Sequence, residues 1–151
     1  MGGIMAILLI ALALFMGAII SIYLPMISQT AKILGSGPMA NVPFFGIAFA
    51  ASIIIAFATG NKAEQFQKIT VLPPWLLTAG VMSAGMIIGS SFLIPKIGIG
   101  TFFVLLVSGQ VLAGMVFGYF GLFGVPASAM SYGKVIGAIL VIAGVYLVTF
   151  R

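Results

Sequence analysis

Residues 94 to 124 begin Ile94-Pro95-Lys96-Ile97-Gly98-Ile99-Gly100, continue as an uncharged run with Ser108-Gly109-Gln110 near its middle, and close on Gly114, Gly118, Gly121 and Gly124. An amide about ten residues from either end of an apolar run of roughly twenty sits near the middle of a bilayer, where an unsatisfied polar group costs several kcal/mol. Gln110 therefore requires a partner. On a helix, Gln110, Gly114 and Gly118 recur every four residues and share one face, where the small residues let a neighbouring backbone approach the amide. Such a face is made to be packed against protein, not lipid, and it makes the fold an assembly of membrane helices.

Composition extends this reading to the whole chain. Hydrophobic residues make up 63% of the 151 residues and charged residues 5%, against roughly 45–50% and about 25% in an average soluble domain. The length supplies five spans of about 20 residues each, enough to cross a hydrocarbon core of about 30 Å. We therefore expect an all-α integral membrane protein whose single membrane domain occupies residues 1–151. The chain has no cysteine and no histidine, and Glu64 is its one carboxylate side chain. These absences exclude disulfides, thiolate nucleophiles, paired-carboxylate catalysis and an ordinary metal cage, so neither cofactor nor metal is expected. The net charge of +5 is scattered singly, which leaves no basic patch for nucleic acid. The first apolar run lacks a positive flank and exceeds a signal core in length, so it reads as a retained first helix.

The expected spans are 3–27, 40–59, 74–94, 99–119 and 131–150. Gly17 and Ser21 lie on one side of the first, and Pro25 should bend or end it. Gly35-Ser36-Gly37-Pro38 signals a turn. Span two carries Ala48, Ser52 and Ala56 as a small-residue seam, with Pro43 placed in its first turn. In the polar stretch 60–73, Asn61 and Glu64 have the spacing of a helix cap, and Glu64 and Lys68 that of an i,i+4 ion pair; one or two interfacial helical turns follow. Pro73-Pro74-Trp75 opens span three with an indole at the interface belt. Gly85 and Gly89 form a GxxxG there, Gly133 and Gly137 are four apart in span five, and with Gly114 and Gly118 these are assigned to helix packing. The short link Pro95–Gly98 makes spans three and four antiparallel neighbours. Tyr132, Tyr146 and Arg151 are expected interface anchors.

Five spans put the termini on opposite sides of the membrane. Lys62, Lys68 and Lys134 fall on the N-terminal side, and Lys32, Lys96 and Arg151 on the other. Orientation normally follows an excess of Lys and Arg in cytoplasmic loops. Three against three gives none, so dual insertion and an antiparallel homodimer are expected. Dimerisation would then supply what larger transporters encode as inverted repeats, with a binding site near the midplane.

Trp75, Gly80, Ile94-Pro95-Lys96-Ile97-Gly98, Gly109-Gln110, Phe120-Gly121-Leu122, Gly124 and Pro126, followed by Gly137 and Gly144, resemble the YdcZ-like family of small five-helix bacterial membrane proteins in the drug/metabolite transporter superfamily. The resemblance covers essentially the whole chain and is strongest from 74 to 145. It implies a multi-pass protein of the bacterial inner membrane, related to the small multidrug resistance exporters, whose members occur as antiparallel pairs or fused two-domain chains. Two departures matter. Gly118-Tyr119 stands where the family often has an acid before the Phe-Gly pair, and residues 3–27 lack the first-helix glutamate with which the small multidrug exporters exchange protons for cations. A site without carboxylates suits neutral, zwitterionic or anionic solutes, held by amides, hydroxyls, aromatic faces and helix N-termini.

Candidate substrate-binding residues are Gln110 first, then Ser108, Gln29, Asn41, Ser83, Ser90 and Tyr119. Each has a plainer role as well: interhelical glue for Gln110, helix packing for the serines, an interfacial position for Gln29 and Asn41, an anchor for Tyr119. The leading function is a small-solute transporter subunit working by alternating access at a dimer interface, with membrane lipid, a second copy and a small molecule as partners. A passive anion or small-solute channel and a non-transporting accessory membrane subunit are the alternatives. Catalysis is not expected, because the serines have neither a histidine nor a span-embedded lysine as base.

Overall fold

The computed structural model describes residues 3–150, which contain helices and connecting turns and no strand. Five helices are long and apolar enough to cross a membrane: α1 (Gly3–Leu34), α2 (Gly37–Ala58), α3 (Pro74–Ile97), α4 (Ile99–Phe120) and α5 (Tyr132–Phe150). Two short 3-10 helices, Ala63–Val71 and Leu122–Gly124, lie in the connections. Arg151, the expected anchor, lies outside the described residues.

The spans are where the apolar runs put them, and the prolines account for the shifted ends. Pro25 does not end α1, which runs on to Leu34 and turns at Gly35 with φ 71°. A proline removes one helical N–H, here the donor to the Ser21 carbonyl, and membrane helices tolerate that loss when neighbours repair it. Pro43 is likewise interior, because α2 begins at Gly37 and Pro38 takes the N-terminal position expected of Pro43. Pro95 lies inside α3, and Gly98, with φ 80°, separates α3 from α4.

The polar stretch folds differently from expectation. Gly60, with φ 90°, closes α2: its N–H donates to the Phe57 carbonyl at 3.0 Å and that of Asn61 to the Ala56 carbonyl at 3.1 Å. This is a Schellman ending, and the Asn61 side chain joins it by donating to the same Ala56 carbonyl at 3.0 Å. Asn61 thus finishes α2 instead of starting the next helix. The following helix is held at its start by Gln65, whose Oε1 accepts the Lys62 N–H at 3.0 Å. Its 3-10 winding has three residues per turn, so Glu64 and Lys68 fall on different faces and the expected i,i+4 pair does not form.

The chain divides into two compact units, one up to Lys96 and one from Ile97. In the first, α1 packs on α2 across a two-residue turn. Leu24, Ile27, Ser28 and Ala31 are its buried residues, an i, i+3, i+4, i+7 stripe that begins at Leu24, beside Pro25. The part of α1 before Tyr23 is almost wholly exposed within the chain. Two contacts tie α2 to α3: Asn41 Nδ2 donates to the Ala84 carbonyl at 3.2 Å, and Gly37 lies so close to Ser91 and Ile88 that an added Cβ would stand 3.7 Å from Ser91 Cβ. Lipid is as apolar as leucine, so such dispersion contacts and hydrogen bonds, not burial from water, hold helices together here.

In the second unit α4 packs on α5. Their link folds back onto the end of α4, where Gly121 turns with φ 63° and the Ser128 N–H donates to the Gly118 carbonyl at 2.8 Å. Phe123 shares the left-handed conformation, φ 58°, with its ring 5.4 Å from that of Phe117 in an edge contact. Ser131 opens α5 by accepting the Lys134 N–H, and the Lys134 ammonium reaches Ser128 Oγ at 3.0 Å and the Ala129 carbonyl at 2.9 Å.

Candidate functional site

Two features could meet a solute, one in each unit. In the first unit α1, α2 and α3 enclose an open cleft of about 620 Å³, within the range of about 300–1,000 Å³ usual for ligand sites. Its aromatic wall is Tyr23 stacked on Phe44 at 5.8 Å, with Phe45 edge-on to Phe44 at 5.1 Å. Met82 and Met86 of α3 face it with Ser83. Neither the Ser83 nor the Tyr23 hydroxyl forms a hydrogen bond among the described residues, and no formal charge lines the cleft. Aromatic faces, adaptable thioethers and one or two hydroxyls suit an uncharged apolar or aromatic group carrying a polar handle.

In the second unit Gln110 is the twelfth residue of the twenty-two in α4. Its side chain is exposed and makes no hydrogen bond among the described residues. Gly114, one turn on, has nothing within 4 Å of the place a Cβ would occupy. Gly118, at the next turn, is covered by the chain's own loop, with Ser128 Oγ 3.4 Å from that place. The open part of the face is therefore Gln110 and Gly114.

The other expected residues separate by what their polar atoms do. Ser90 is 1% exposed and donates to the Ile87 carbonyl at 2.8 Å; Ser108 is 9% exposed and donates to Val104 at 2.6 Å. Both hydroxyl protons are used within their own helices, although Ser108 also borders a nearly apolar cavity of about 450 Å³ between α4 and α5. Gln29 is exposed on α1, and Tyr119 is exposed on α4 with its ring 5.1 Å from Phe120. Asn41 is part-buried near the start of α2 and bonds across to α3, while its Oδ1 is buried without a donor among the described residues. Among the packing glycines, Gly85, Gly89 and Gly137 also have open space at the Cβ position, and Gly133 has only Ser131 Oγ at 3.9 Å. Close approach at these positions is not made within the chain.

Reading the sequence missed Tyr23, Phe44, Phe45, Met82 and Met86. Their one signal was a tyrosine inside an apolar span and an aromatic pair just after Pro43, which single helices do not distinguish from packing.

A family described as "Putative inner membrane exporter, YdcZ" matches residues 8–147. No curated protein and no solved structure matches the chain.

Proposed function

The chain belongs to the YdcZ family of inner-membrane exporters and is a multi-pass inner-membrane protein, and from that premise we propose that it transports a small solute as an antiparallel homodimer. The observation that carries this reading is Gln110, an amide midway along a membrane helix, exposed and without a partner among the described residues. Amides in hydrocarbon are satisfied by protein or by solute. A second copy laid against the Gln110–Gly114 face would bring two amides to one midplane position, where solute hydrogen bonds could replace amide–amide ones as the pair changes its opening. The balanced lysine and arginine count favours the antiparallel arrangement.

In this arrangement Gln110 contacts the solute directly. Ser83, Gln29 and Tyr119 offer exposed polar groups, while Ser90 and Ser108 retain acceptor lone pairs. With Glu64 the sole side-chain carboxylate and placed outside the spans, the solute is neutral, zwitterionic or anionic. Its release is not driven by a carboxylate that exchanges a proton for a cation.

Counterflow in proteoliposomes, run over a panel of labelled neutral, zwitterionic and anionic solutes, tests the proposal. A carrier shows uptake accelerated by internal unlabelled solute. Gln110→Leu should abolish that flux while cross-linking still reports a dimer. Flux that persists in Gln110→Leu would remove the amide from the pathway, and loss of the dimer with the flux would make it purely structural.

A further inference from the structure

A second pocket lies in the first unit where α1 ends and α2 begins. Its volume is about 310 Å³ and its lining includes Ser28, Lys32, Ser36, Ser91 and Phe92. The pocket joins a helix N-terminus to an independent polar group. Ser36 stands at the N-cap of α2 without a side-chain capping bond, and no acid occupies the first turn. Free N–H groups of that turn, at Gly37 and Met39, are a partial positive charge in search of an acceptor. Ser28, on α1, is 4% exposed, and its hydroxyl forms no hydrogen bond among the described residues although it borders this pocket. The residue is buried and borders the pocket, so its unpaired hydroxyl has a partner to gain from what the pocket holds.

Charge points the same way. Lys32 lines the pocket with an exposed ammonium that has no ion-pair partner among the described residues, and Lys96 holds its ammonium 3.6 Å over the Phe92 ring that forms another wall. Glu64, the one acid, lies beyond the far end of α2, about 33 Å away for 22 residues at 1.5 Å each. One lysine, a helix N-terminus and an unpaired serine meet at the pocket, a second lysine lies against its Phe92 wall, and no acid lines it among the described residues. The site lies at the end of two membrane helices, where phosphates of lipids and of dissolved solutes are both within reach.

We propose that this pocket binds a phosphate group, carried either by a dissolved solute or by an anionic lipid headgroup, with Lys32 neutralising it and Ser28 and the α2 N-terminus donating to its oxygens. The volume admits a phosphate with its waters or a small headgroup. The proposal rests on the first unit alone and does not depend on the transport reading or on Gln110.

The test uses the full chain. Inorganic phosphate is titrated by calorimetry into lipid-free protein in neutral detergent, and retention of phosphatidylglycerol over phosphatidylcholine is read by native mass spectrometry. Lys32→Gln should weaken the responsive probe about tenfold, the scale of one charge-assisted hydrogen bond. Ser28→Ala should weaken it severalfold, Lys32→Arg should restore it, and Lys68→Gln, at the other end of α2, should leave it unchanged. Response to phosphate assigns a solute, response to phosphatidylglycerol alone assigns a headgroup, and either supports the site. Binding of neither probe by the wild type overturns it. So does a loss in Lys32→Gln with Ser28→Ala unaffected, which would reduce the pocket to diffuse surface charge.

Discussion

The Asn41 side chain donates to the carbonyl of Ala84 at 3.2 Å, joining α2 to α3 across 43 residues of chain. The same amide leaves its Oδ1 buried and unpaired, so one side chain both makes an interhelical bond and bears an orphan acceptor. Such bonds are worth about 0.6 kcal/mol on average between membrane helices, and an orphan costs about 1–3 kcal/mol. Asn41→Ala removes both and should leave unfolding stability in mixed micelles unchanged or raise it by up to about 2 kcal/mol. Asn41→Asp, which sets a carboxylate against the Ala84 carbonyl, should cost more than about 2 kcal/mol. Equal costs for the two would mean that the orphan oxygen has a donor in the membrane.

Gly121, which caps α4, and Gly114, within it, make opposite predictions. Gly121 has φ 63°, and a Cβ there would lie 3.3 Å from both Ala127 Cβ and the Val125 carbonyl. Gly121→Ala should therefore destabilise the fold by about 1–3 kcal/mol. Gly114 has open space around it. Gly114→Leu should leave melting of the detergent-solubilised protein unchanged and lower the dimer fraction seen by cross-linking in the membrane. A Gly114→Leu protein that dimerises normally would remove this face from the interface.

Lys134 fastens the loop that it follows, through Ser128 Oγ and the Ala129 carbonyl. Releasing that clip should loosen the return of Ser128 to the Gly118 carbonyl. Lys134→Met should speed amide exchange of the segment 121–131 severalfold, as read by exchange mass spectrometry, and Lys134→Arg should retain most of the protection. Unchanged exchange in Lys134→Met would show that Gly121 and the Ser128 N–H hold the loop unaided.

Orientation offers a test by charge alone. Replacing Lys62 and Lys68 together by Gln leaves Lys134 on one side against Lys32, Lys96 and Arg151 on the other. The C-terminus should then turn cytoplasmic. Reporters fused after Arg151, one active only inside the cell and one only outside, should both signal in the wild type and only the cytoplasmic one in the variant. A wild type with a single signal would sink the antiparallel homodimer for this chain.

Five helices were legible in the sequence because each apolar run of membrane length leaves few other solutions. The errors have local causes. Pro25 was allowed to end its helix, by the rules of helices in water, and Pro43 was given a first-turn place because span two was started at residue 40 instead of Gly37; both lie inside membrane helices here. Asn61 was read as opening a helix because asparagine suits both ends, and only the φ of Gly60 decides between them. Gln110 could be singled out because its chemistry conflicts with its own surroundings. The cleft around Tyr23 and Phe44 could not, since it exists only once α1, α2 and α3 come together, and each aromatic alone suits lipid as well as it suits a solute.

Pro25 divides α1 into parts under different mechanical conditions. From Leu24 onward the helix is clamped through its buried stripe, while the preceding residues stand almost clear of the rest of the chain. At the division one rung of the backbone ladder is missing, because proline cannot donate to Ser21. A rod anchored at one end, unsupported at the other and notched at the junction is a lever. The packing at its foot does not draw on the free arm, and the cleft lined by Tyr23 and Leu24 lies at the fulcrum.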